Sequence, residues 1–178
     1  MHKFKLYIFI PLLFVHCSIK QPVVISKIIQ DTFDKLLIDA YDFRGFDGDA
    51  MHRIFFSEYL AQMDDASIEI IKKSSFSTIF QKNINNRTIE NGMTISFDFN
   101  YQYKNIVVER FASGIKLNNN EDIGILAISI PIFNEVENQA VFKVSMLCGE
   151  YCGYEELIFI KKENNKWIIY DQMGIGVY

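Results

Sequence analysis

The residues best equipped for chemistry in this chain are two close cysteines, in the stretch Leu147-Cys148-Gly149-Glu150-Tyr151-Cys152-Gly153. On one extended strand at ~3.3 Å per residue, Cys148 and Cys152 would stand about 13 Å apart. A disulfide needs Cα atoms within roughly 7 Å. A bond therefore requires the chain to turn between them, and Gly149 and Gly153 permit a turn. Three other uses of the pair stay open. The thiols can stay free and buried. They can form half of a zinc site, for which no third and fourth ligand is evident. They can form a redox couple, although its usual spacing is two intervening residues and here there are three. In an oxidising compartment the expectation is a disulfide, with so small a loop contributing about 2 kcal/mol.

Other polar groups have side chains suited to site chemistry. Asp42, Asp47 and Asp49 offer oxygens to a hard cation such as calcium, but the bidentate Glu and full spacing of a calcium loop are missing. A solvated loop with Asp49 capping a helix is the expectation. His52 beside Asp47 or Asp49 has the elements of an acid–base pair, and Glu150, Glu155 and Glu156 flank the cysteines as carboxylates. Ser129 has no Gly-x-Ser-x-Gly context. We expect a solvated or packed role for each, hence no catalytic residue, no metal and no cofactor.

A third cysteine, Cys17, ends a different pattern. Lys3 and Lys5 precede an apolar run over residues 6–15, followed by His16-Cys17-Ser18. Basic residues and then about ten apolar ones form an export signal, and the run is well below the roughly 20 residues of a membrane-spanning helix. A cysteine directly after the apolar run resembles a bacterial lipoprotein signal, in which that cysteine becomes the acylated N-terminus. His16 departs from the small residue usual there, which keeps plain secretion as the alternative. The resemblance implies a signal peptide over 1–16, lipidation at Cys17, a tether over 17–22, and membrane attachment through acyl chains at ~0.8 kcal/mol per buried methylene. Loss of Lys3 and Lys5 takes the formal charge from −4 to −6. Such a body is repelled by phosphates, which excludes nucleic acid as a partner and leaves the anchor to hold it at a membrane surface.

The body must position these groups. With 178 residues, 49% of them hydrophobic and 22% charged, the chain is a single folded domain over 23–178 and not a disordered one. Apolar residues at Val24, Ile25, Ile28, Ile29, Phe33, Leu36 and Leu37 predict a helix over 23–40. Met51, Ile54, Phe55, Tyr59 and Leu60 predict a second over 50–63, and a third follows from Asp64-Asp65 to Lys73. Residues 94–103 then alternate, with Ile95, Phe97, Phe99, Tyr101 and Tyr103 on one face. Further strands are expected over 106–115, 123–133, 140–147, 157–162 and 166–171, with Pro131 at an edge or bulge and Asn164-Asn165 turning the last hairpin. The predicted fold is α+β: N-terminal helices packed on a mainly antiparallel meander of about six strands. Phe97, Phe99, Tyr101 and Tyr103 are expected as sheet core, with an apolar pocket or partner surface as the alternative use.

One block carries a further resemblance. Ser129-Ile130-Pro131-Ile132-Phe133-Asn134, Ala140-Val141-Phe142, Cys148-Gly149, Cys152-Gly153, Lys161-Lys162 and Lys166-Trp167 together resemble the C-terminal part of small uncharacterised lipoproteins of Bacteroidetes-type bacteria. Asn165 stands where that hairpin usually has Gly. The resemblance implies export and a disulfide turn, and no mechanism. Three functions fit these features. The first is a lipid-anchored protein of a bacterial cell envelope, more a binding module than an enzyme, with a protein or small-ligand partner. The second resembles the cone-shaped nuclear-transport-factor-2 or SnoaL-like fold, a ligand-binding or enzymatic domain. The third is a toxin-immunity protein.

Overall fold

The computed structural model describes residues 20–46, 50–85, 92–99, 101–118 and 120–178. The expected signal peptide, Cys17, Asp47 and Asp49 lie outside the described residues. Helix α1 (Lys20–Arg44) carries the predicted stripe: Ile25, Ile28, Ile29, Phe33, Leu36, Leu37 and Ala40 are all buried. Lys27–Asp31 and Lys35–Asp39 pairs flank that stripe at i,i+4 spacing. The helix begins at Lys20, so residues 20–22 of the expected tether are helical, with Pro22 tolerated in the first turn. It ends at Gly45, whose φ of +63° no other residue type adopts as readily.

The expected helix over 50–63 is absent. That segment forms strand β1 (His52–Phe56) and the short β2 (Tyr59–Leu60). Helices α2 (Asp65–Lys73) and α3 (Ser77–Asn85) follow, and Asp64 caps α2 by accepting from the Ser67 N–H at 2.8 Å. The strand expected over 94–103 is reduced to its ends, β3 (Met93–Thr94) and β4 (Gln102–Tyr103). Then come β5 (Ile106–Arg110), β6 (Asp122–Ile128), β7 (Ile132–Phe133), β8 (Gln139–Gly149), β9 (Cys152–Glu163) and β10 (Lys166–Val177).

Eight of the ten strands build one mixed sheet, ordered β10-β9-β8-β6-β1-β5-β4, with β7 also on β8, and β2 pairs with β3 in a separate two-stranded sheet. The chain does not run as helices followed by a simple meander. β1 lies in the middle of the sheet and runs parallel to both β5 and β6, so the sheet is larger than predicted and not a simple meander. The C-terminal strands β8, β9 and β10 are antiparallel hairpins as expected. Asn164 and Asn165 turn the last one with φ of 48° and 64°. Pro131 falls where the register slips by one residue, since Ile128 faces Val144 while Ile132 faces Val141. This is the expected bulge, and the Ser129 hydroxyl there accepts from the Lys143 N–H at 2.8 Å.

Alternation along β8 and β9 divides the core. Phe142, Val144, Ile158 and Ile160 meet α1 on one face. Val141, Leu157 and Phe159 meet α2 and α3 on the other. The molecule is a sheet with helices on both faces. At ~1.5 Å per residue the 25-residue α1 is about 37 Å long and runs the length of the sheet. Its Asp31 takes the backbone N–H of Trp167 near the β9–β10 turn, and its Arg44 reaches the opposite end, at Cys152.

Candidate functional site at the cysteine end of the sheet

The turn required by the cysteine spacing is present. β8 ends at Gly149 and β9 starts at Cys152, with a register slip between Leu147 and Gly149. The slip brings the Cα atoms of Cys148 and Cys152 to 5.1 Å, a disulfide distance. Cys148 is buried in the core, and Cys152 is half-buried. Among the described residues no group of three or more His, Cys, Asp or Glu is placed to hold a metal ion.

Three elements converge on this turn. Arg44, the last residue of α1, donates from Nη1 to Cys152 Sγ at 3.3 Å and from Nη2 to the Asp122 carbonyl at 3.4 Å. Its guanidinium also lies 5.1 Å from the Phe46 ring centre. Phe46 stacks at 4.1 Å on His52, and Tyr41 meets the same imidazole edge-on at 5.6 Å. His52 is 4% exposed, and neither ring nitrogen has a hydrogen-bond partner among the described residues. Asp122, also buried, is fully engaged. Arg53 Nε and Nη2 both donate to it at 2.8 Å, as does the Asn118 N–H at 2.7 Å.

Large apolar side chains stand exposed at this end, among them Phe43, Leu147, Tyr151, Val177 and Tyr178. Tyr151 is 83% exposed and sits on the turn itself. The Phe43 ring packs 4.9 Å from Tyr154, which pairs with Val177. Tyr178 donates its N–H to the Gly153 carbonyl at 3.0 Å. Its ring and Leu147 both lie against Gly153, where an added Cβ would collide with the Met146 carbonyl.

Beside the turn, Lys143 joins two elements. It donates to Asp64 at 2.6 Å and to Glu155 at 2.9 Å, and Ser145 shares Glu155 at 3.0 Å. Burial pushes the Asp64 carboxyl up, but the Lys143 ammonium and the Ser67 donors outweigh it and hold its pKa down to about 2. Burial acts on Glu155 in the same way. Donors from Lys143, Tyr178 and Ser145 outweigh it and hold Glu155 below the usual range. Glu156, on the α1 side, is pushed up by burial and then by the Asp39 charge. The three carboxylates flanking the cysteines thus separate. Glu150 is exposed, Glu155 is paired and Glu156 faces α1.

The aromatic face expected as core or pocket is occupied by packing. Phe97 lies 4.7 Å from Phe33 of α1 and 4.8 Å from Phe56 of β1, and Tyr101 lies 5.5 Å from Phe33. Phe99 sits beside Phe97 under the Arg110 guanidinium, and Tyr103 lies under Lys104. Trp167 is buried as a hairpin anchor, 6.0 Å from Phe133. A groove of about 610 Å³ runs between α1 and β10, past Asp31, Lys35, Trp167 and Gln172. Its polar groups already have partners, with Asp31 bonded to Lys27 and Trp167 and with Asp39 bonded to Lys35 and Gln172.

Arg44, Asp122 and Lys143 were not singled out in the sequence. A basic residue just before Gly45 is a helix-end signal, but nothing in its neighbourhood points to a cysteine more than a hundred residues later. The chain matches no known family model, no curated protein and no solved structure.

Proposed function

We propose that the chain is an exported protein of a bacterial envelope, lipid-anchored at Cys17, whose folded body is a non-enzymatic binding domain. The observation that carries this reading is where the large apolar side chains go. Phe33, Phe56, Phe97 and Tyr101 interlock between α1 and the sheet, where a cone-shaped ligand-binding domain would hold its pocket. Phe43, Leu147, Tyr151, Val177 and Tyr178 instead face solvent at one end. Rigid aromatic groups held outside a packed core are the composition of an interface. The cysteine pair supports the compartment, because a thiol pair at this separation oxidises in an exported protein.

A toxin-immunity role is a second reading. One observation favours it: Asp42, Glu121 and Glu150 are exposed at the same end as the apolar group.

Intact mass of the membrane-extracted protein tests the assignment. An N-terminus at Cys17 carrying acyl chains, with a body lighter by two hydrogens, is the expected result. A chain still beginning at Met1 with two titratable thiols overturns it.

A further inference from the structure

We propose that the cysteine end of the sheet is a docking surface for a protein partner bearing a cationic segment with an apolar anchor, and that this end is held away from the membrane. The docking surface stands on the exposed side chains themselves. Its orientation rests on the lipid-anchored reading.

The surface is fixed and wraps the end of the sheet, with Leu147 and Tyr178 on the face of α2 and α3, and Phe43 and Val177 on the face of α1. Gly153 seats Leu147 and Tyr178 side by side, Tyr154 seats Phe43 and Val177, and Tyr151 crowns the turn between them. The turn is closed at its base by the cysteine pair at 5.1 Å and fastened to α1 through Arg44. A partner meeting it therefore orders few side chains, and tyrosine presents a large area with little rotamer entropy to lose.

Charge selects the occupant. Asp42 and Glu150 are exposed at the rim, with no ion pair among the described residues, and Glu121 is exposed with only a 3.5 Å contact to Arg53. Of the cations at this end, Arg44 is turned inward onto Cys152, Asp122 and Phe46, and the part-exposed Arg53 is held on Asp122 and Glu121. An acidic rim around an apolar centre complements Lys or Arg around an aromatic or aliphatic anchor. The same rim opposes a second copy of this chain and an anionic lipid surface.

Geometry sets the direction. Cys17 lies three residues before α1, a reach of about 11 Å at most. The helix then runs about 37 Å along the sheet and ends at Arg44, against Cys152. An anchor at one end of this rod leaves the apolar group at the other.

The test uses the full processed chain, in detergent and on phosphatidylcholine vesicles. The probe is a short synthetic peptide alternating Arg with Trp and Leu, compared by calorimetry with its Glu-for-Arg counterpart. The Arg peptide is expected to bind, more weakly as salt rises. Tyr151→Ser and Glu150→Lys are each expected to weaken it about tenfold with the melting temperature unchanged. Val136→Ser, exposed at the opposite end, is expected to leave binding as it is. No binding, equal binding of the Glu peptide, or an equal effect of Val136→Ser overturns the docking surface. Binding lost on vesicles but kept in detergent overturns the orientation. If mass analysis finds Cys17 unacylated, the anchor and the orientation fall together, and the detergent result still decides the docking surface.

Discussion

The guanidinium of Arg44 donates to Cys152 Sγ at 3.3 Å, joining the last residue of α1 to the first residue of β9. The contact ties the long helix to the cysteine turn, so losses at the two sites are coupled. Replacing both Cys148 and Cys152 by Ser is expected to cost about 2 kcal/mol, a fall in melting temperature of about 4–8 °C for a chain of this size. Arg44→Met removes charge-assisted bonds to Cys152 and the Asp122 carbonyl, and is expected to cost about 1–3 kcal/mol. In the Ser–Ser background the cost of Arg44→Met should be smaller. Additive losses in a double-mutant cycle would show that the contact carries no energy.

His52→Phe is expected to stabilise the protein. The imidazole lies between Phe46 and Tyr41, and its two nitrogens are buried without a partner among the described residues. A buried polar atom left unpaired costs about 1–3 kcal/mol, whereas an apolar ring of similar shape keeps the stacking and removes that cost. Thermal unfolding should shift upward by a few degrees. A fall would mean that the imidazole makes a bond that matters.

Asp64 gives the stability a pH dependence of known sign. Its folded-state pKa is held down to about 2 against an ordinary 3.8, mainly by Lys143 and the Ser67 donors acting against burial. A depressed carboxyl contributes stability above its unfolded value and loses it as pH falls toward the folded one. Asp64→Asn keeps a capping oxygen but loses the charge. It is expected to cost about 1 kcal/mol at neutral pH, with the gap to the parent closing between pH 4 and pH 2. Parallel denaturation curves across that window would remove the assignment.

The fold was legible where one physical cause controls the pattern. The stripe on α1 reports a helix with one wet side, and the Asn164-Asn165 turn reports two positive φ angles. The segment 50–63 reads as a helix because β1 is buried on both faces. Ile54 and Phe56 meet α1 while Phe55, also buried, points the other way. A strand with parallel neighbours on each side loses its alternation, and five apolar positions then mimic a helical repeat. The segment 94–103 failed in the opposite direction. Its alternation records one-sided burial under Phe33 and Phe56, yet its backbone pairs only near its ends. Of the site, the cysteine turn was readable from spacing. Arg44 and Lys143 were not, because their partners are fixed by tertiary packing and lie far away in sequence.

Phe97 decides between a packed core and a ligand pocket. Its ring touches Phe33 at 4.7 Å, Phe56 at 4.8 Å and Phe99 at 5.2 Å, so it closes the space between α1 and the sheet. Truncating a ring with that many partners leaves a void that the surrounding helix and strands refill only in part. Phe97 is half-buried, so Phe97→Ala is expected to cost about 1–3 kcal/mol, visible as a lower denaturation midpoint with an unchanged slope. The space left is lined by Phe33 and Phe56 and is apolar, so the variant should recover stability on adding benzene while the parent does not. If the ring instead lined a pocket in the parent, the substitution would cost little. Benzene would then stabilise the parent as much as the variant, and the cone-shaped binding domain would regain its place.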